Sequence, residues 1–149
     1  AAAYDRHVFD GFKIKRIAEA PQFVFCATNL QTGGLFKFTR DQLSDWRTLQ
    51  ATTHDIRLSE AVAASSAFPL VLAPVLLSLK GETVTAPPNP RYTDERLWKR
   101  PVLVDGGVHD NLGLEAIWKH CGVIFFSYAG RNIEAEPKNF NIDLMLPVM

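Results

Sequence analysis

The segment PVLVDGG, residues 101–107, constrains the fold more than any other part of this chain. A short apolar run ends in a lone aspartate, Asp105, followed at once by Gly106 and Gly107. A helical spacing comes next, with Leu114, Ile117 and Trp118 on one face and Gly122 placed to end it. Then comes VIFFSYAG, a second continuous apolar run at residues 123–130. Strand, helix and strand at this length predict a βαβ unit, the signature of a parallel sheet covered on both faces. The expected class is α/β.

Upstream, QFVFCATNL (22–30) and LFKFT (35–39) read as strands joined by QTGG, and paired glycines between such runs predict a hairpin. RDQLSDWRTL (40–49) reads as a short helix or turn, and ATTHD (51–55) as a loop. From Ala61 to Leu79 there is no charge, which reaches the length of a membrane span. Pro69 and Pro74 break it, because each removes a backbone donor and clashes with the preceding turn. The expectation is a small-residue helix over 58–68 ended by Pro69, then an apolar loop and a short strand, with no transmembrane helix. Three prolines between Ala86 and Arg91 mark a loop region.

The 149 residues suit a single domain with its own core. Sixteen basic residues balance sixteen acidic ones, and this lack of basic excess argues against a nucleic-acid binder. Cys26 and Cys121 have no metal-ligand spacing. They read as buried free thiols of a reducing compartment, with a disulfide between them left open. The chain opens without methionine or a secretory leader and stops inside an apolar run, so both ends look cut. A location in the cytoplasm or at a membrane surface is expected.

Asp105 sits where open α/β sheets gather their functional groups, beyond the carboxyl end of a strand. It is either a turn residue bonded to its own backbone or a reactive carboxylate. Asn111 is better placed to cap the following helix, with Glu115 in its first turn, so Asp105 is not needed as a cap. Two glycines beside a carboxylate strip away side chains and leave it accessible. A metal site would recruit Asp105, His109, Asp110 and His120, which match no known ligand spacing. A serine–histidine–aspartate triad would use His109 or His54, but needs a Gly-x-Ser-x-Gly elbow that these residues lack. Ser65 and Ser66 read as small residues for close helix packing, and Ser127 as a strand residue.

Taken together, FVFCATNLQTGGLFKFTR, LSEAVAASSAFPLVLAPV and VLVDGGVHDNLGLEAIW resemble three consecutive blocks of the patatin-like phospholipase family, bacterial members above all. The Ala-Ser-Ser-Ala-Phe-Pro segment and the Asp-Gly-Gly are the specific ones. The resemblance implies a three-layer α/β/α sandwich with a mainly parallel sheet, here incomplete on its amino-terminal side. It implies a lipid acyl hydrolase, of phospholipase A or lysophospholipase type, that uses a serine–aspartate dyad and no cofactor. Asp105 matches the dyad aspartate, with Gly106 and Gly107 as its motif companions. The oxyanion loop and serine elbow would lie before Ala1, so residues 1–149 would be a truncated single domain, inactive alone. The implied partners are a lipid or fatty-acyl ester and a peripheral membrane contact; residues 68–79 are either the wall for an acyl chain or a surface that meets lipid, or else only a buried loop and strand. A non-catalytic lipid- or protein-binding domain that has lost its nucleophile half is the alternative.

Overall fold

A computed structural model of the chain describes residues 1–127. The chain begins with α1 (Ala2–Tyr4), runs through a wide turn at Asp5–Phe9 and a 3-10 turn at Ile14–Arg16, and enters the sheet. Four strands follow in close succession: β1 (Phe25–Asn29), β2 (Gly34–Phe38), β3 (Leu43–Asp45) and β4 (Leu49–Ala51). Helix α2 (Leu58–Ser65) comes next, then β5 (Val75–Leu76), β6 (Val84–Thr85), α3 (Arg96–Lys99) and β7 (Val102–Asp105).

The seven strands of the described residues form one sheet in the order β5-β7-β1-β2-β3-β4-β6, and each of their pairings is antiparallel. The expected mainly parallel α/β/α sandwich is therefore overturned. The reason lies in the connections. Links of three or four residues join β1 to β2, β2 to β3 and β3 to β4, whereas a parallel pair needs a crossover of about a dozen residues or more. Residues 114–120 form only turns, so no crossover helix follows β7, and residues 123–127 pair with no strand. The rest of that expected strand, residues 128–130, lies outside the described residues.

The sheet curls into a half-barrel, and chain length explains why. β5 and β6 sit at opposite edges of the sheet, yet Leu76 and Val84 are eight residues apart. Six strand spacings of about 4.8 Å make a flat sheet about 29 Å wide. Eight fully extended residues barely reach that far, and a turn from Leu79 to Glu82 shortens this link. The edges must approach each other. Leu77 and Leu79 of the link join the core with Ile14, Phe36, Phe38, Leu43, Leu49 and Leu103.

The β1–β2 hairpin forms as expected: Asn29 pairs with Gly34 across residues 30–33, and Gly33 takes a left-handed φ of 65°. Residues 40–49 hold no helix but supply β3 and most of a second hairpin. Helix α2 packs on β1 and β7. The Glu60 carboxylate reaches back to accept the Arg57 amide at 2.9 Å, satisfying one free donor at its start. It ends at Ser65, short of the expected Phe68, and beyond it the Ala67 carbonyl accepts the Asp105 amide at 3.0 Å. Among the described residues no helix is long and apolar enough to cross a membrane.

Candidate active site

β1 and β7 together position the Asp-Gly-Gly segment. In their register Ala27 faces Asp105 and Thr28 faces Val104. The last residue of β7 thus leaves the sheet beside the middle of β1, and a 3-10 turn at Gly106–Val108 carries the chain away.

The two glycines serve different purposes. A Cβ on Gly106 would stand 2.5 Å from the Cys26 carbonyl oxygen, so only glycine lets the turn lie against β1. A Cβ on Gly107 would stand 3.0 Å from Asp105 Oδ1 and from Asn111 Oδ1. Gly107 is therefore the residue whose missing side chain leaves space around the carboxylate.

Asp105 is half-buried, and its Oδ1 accepts the Gly107 amide at 2.7 Å. That bond is the local turn geometry a structural aspartate would adopt. Oδ2 has no hydrogen bond among the described residues. The side chain lines a cleft of about 510 Å³ whose walls include Cys26, Ser65, Gly107, Asp110, Asn111 and Ile117. Burial pushes the Cys26 thiol up, and the Asp110 carboxylate adds to this. The group beside Asp105 is thus a neutral thiol, not a thiolate.

The loop after the turn is laced by Asp110 rather than Asn111. Asp110 Oδ2 accepts the Glu115 amide at 2.6 Å and Oδ1 the Leu112 amide at 3.3 Å. The sequence offered Asn111 for this role; Asp110 reaches both amides, and exposed Asn111 turns its oxygen toward Gly107. His109 Nε2 pairs with Glu115 Oε2 at 2.6 Å, and neither His109 nor His54 hydrogen-bonds to Asp105. His120 is exposed outside the cleft. Among the described residues no three His, Cys, Asp or Glu side chains converge as a metal site.

Thiol and apolar expectations divide. Cys26 and Cys121 are both free, but Cys121 is exposed rather than buried. Leu77 and Leu79 are buried, as a core strand and its link should be, while Phe68, Val71 and Leu72 are exposed and Leu70 is 100% exposed. Residues 68–72 follow directly on Ala67, whose carbonyl accepts the Asp105 amide.

Sequence reasoning passed over two features, Thr28 and Asp45, and assigned a third, Ser65, to helix packing. Thr28 lies under the Asp-Gly-Gly turn, where its hydroxyl donates to the Asp105 carbonyl at 2.8 Å and accepts the His109 amide at 3.1 Å. Ser65 faces the cleft from the end of α2. Fully buried Asp45 accepts Asn29 Nδ2 at 2.9 Å, Thr32 Oγ1 at 2.8 Å and the Arg47 amide at 2.9 Å, tying the two hairpins together. The polar Thr-Asn pair inside an otherwise apolar strand was the available signal for two of these.

A family model described as patatin-like phospholipase matches residues 4–118, more than three quarters of the chain. No curated protein and no solved structure gives a match. The matched span includes the Asp105-Gly106-Gly107 turn and every strand of the sheet. The chain belongs to the patatin-like phospholipase family, a family of lipid hydrolases.

Proposed function

We propose that this chain supplies the aspartate of a serine–aspartate dyad in a lipid acyl hydrolase. The supporting observation is the Asp105 carboxylate. It stands at the end of β7 with one oxygen anchored by the Gly107 amide, the other unbonded among the described residues, and a cleft in front of it. In the dyad the unbonded oxygen accepts the proton of the serine hydroxyl as that oxygen attacks the ester carbonyl. It hands that proton to the departing alcohol as the acyl-enzyme forms, then takes one from the water that cleaves the acyl-enzyme and returns it to the serine oxygen. No Gly-x-Ser-x-Gly occurs in the 149 residues, so the nucleophile comes from outside them and this chain alone is inactive. A dyad without histidine fits the engagement of His109 with Glu115.

The apolar side chains of residues 68–72 form the lipid-facing rim of this site, since they are exposed and adjoin Asp105 through Ala67. A fluorophosphonate probe, which marks activated serines, tests the reading. The product of the complete open reading frame should label at one serine outside these residues, and the 149-residue chain should not label. Labelling of Ser65, abolished by Ser65→Ala, would place the nucleophile on α2 and overturn it.

A further inference from the structure

We propose that Thr28 is the positioning residue for Asp105, its hydroxyl clipping both ends of the Asp-Gly-Gly turn to β1. Thr28 Oγ1 donates to the Asp105 carbonyl at 2.8 Å, where the strand ends, and accepts the His109 amide at 3.1 Å, where the turn ends. One hydroxyl thus fixes the entry and exit of the segment that carries the carboxylate. Thr28 is only 4% exposed, so water cannot readily take over either bond.

The remaining contacts explain why the clip governs the carboxylate itself. Asp105 Oδ1 is held by the Gly107 amide at 2.7 Å, and Gly107 belongs to the clipped turn. Gly106 abuts the Cys26 carbonyl, which stops the turn from moving closer to β1 but does nothing to stop it from lifting away. The His109 amide also reaches the Gly106 carbonyl at 3.1 Å, but that bond lies within the turn and moves with it. The Thr28 hydroxyl is what ties the turn to the sheet by a side chain. Asp105 itself stays paired with Ala27 at the end of β7, so without the clip the turn swings away and carries the Gly107 amide off the carboxylate.

The consequence for catalysis rests on the reading of Asp105 as the base, but the clip can be tested without it. In the 149-residue chain, the Gly107 amide proton resonance should move downfield as Asp105 ionises. Thr28→Val keeps the shape and removes the hydroxyl; it should abolish that response, and Thr28→Ser should keep it. An unchanged Gly107 response in Thr28→Val overturns the proposal. Should the valine variant not fold, amide exchange in the unaltered chain decides. The His109 amide should exchange at least tenfold more slowly than the Leu112 amide, whose acceptor is an exposed carboxylate at 3.3 Å, and equal rates overturn the clip.

In the product of the complete open reading frame, Thr28→Val should lower kcat about 10- to 100-fold with KM unchanged, as misplacement by about 1 Å does. Thr28→Ser should restore it. A Gly107 response that behaves as proposed with kcat unmoved keeps the clip and removes Asp105 from the chemistry.

Discussion

Alanine at Gly106 would place its Cβ 2.5 Å from the Cys26 carbonyl oxygen and 2.9 Å from the carbonyl carbon. Ordinary contact between such atoms is about 3.5 Å, so the turn or the strand must yield by about 1 Å. Neither side yields cheaply. Cys26 is held in β1 by its pairing with β2, and the turn is held by Thr28 and by Gly107. Overpacking of this kind costs about 1–3 kcal/mol, and rigid backbone on both sides puts this site near the top. Alanine also restricts the unfolded chain, which returns about 0.4–1 kcal/mol. The net expectation is a loss of about 2 kcal/mol, a drop of about 6 °C in Tm for a chain of this size.

Gly107→Ala is the control. Its Cβ meets only side-chain oxygens, at 3.0 Å, and exposed Asn111 can swing aside. Its cost should stay within about 0.5 kcal/mol, the usual range for surface changes. Urea denaturation followed by circular dichroism compares the two. Equal stabilities, or a larger loss at Gly107, would refute the account of why this motif carries two glycines.

Asp45→Ala removes the acceptor for Asn29, Thr32 and the Arg47 amide at once. With three donors stranded in a buried site, denaturant titration should show a loss of about 3–5 kcal/mol. Burial alone would raise the Glu82 carboxyl, but hydrogen bonds from the Thr52 hydroxyl and the Asp55 and His54 amides outweigh it and hold the group below its ordinary 4.5. Its stabilising effect is therefore fully present above about pH 4.5 and is lost as pH falls through the lower folded value. Glu82→Gln should flatten that part of the acid limb of a stability–pH curve, and an unchanged limb would contradict it. Leu70 holds a left-handed φ of 74° while fully exposed. Leu70→Asn, which tolerates that conformation, should stabilise the chain by about 0.5–1 kcal/mol. It should also weaken co-sedimentation with phosphatidylcholine vesicles, and unchanged co-sedimentation would remove the lipid-facing role of residues 68–72.

What the sequence disclosed follows from the range over which each signal acts. The β1–β2 hairpin was legible because Gly33 and the flanking apolar runs specify it locally. α2 was legible from its small residues, though it ends at Ser65 rather than at Phe68. The direction of the sheet was misread. Continuous apolar runs usually mean a parallel strand covered on both faces. Here Leu35 and Phe36 point to opposite faces of an antiparallel strand and are both buried. The Leu114, Ile117 and Trp118 spacing fitted a helix, yet the chain there makes only turns, with Trp118 exposed. At the candidate site Asp105 and its glycines could be singled out from the sequence. Thr28, whose partners lie 77 and 81 residues away, showed only as a polar residue in an apolar strand, with nothing to say what it would bind.

The most direct test of the central claim is ester hydrolysis by the product of the complete open reading frame with Asp105→Asn. The substitution keeps the side-chain oxygen that the Gly107 amide needs and removes the ability to accept the serine proton. The account predicts that kcat/KM falls at least 100-fold, the usual effect of losing a general base, while Tm stays unchanged. Activity within a few-fold of the unaltered enzyme would show that Asp105 closes a turn and takes no part in the chemistry.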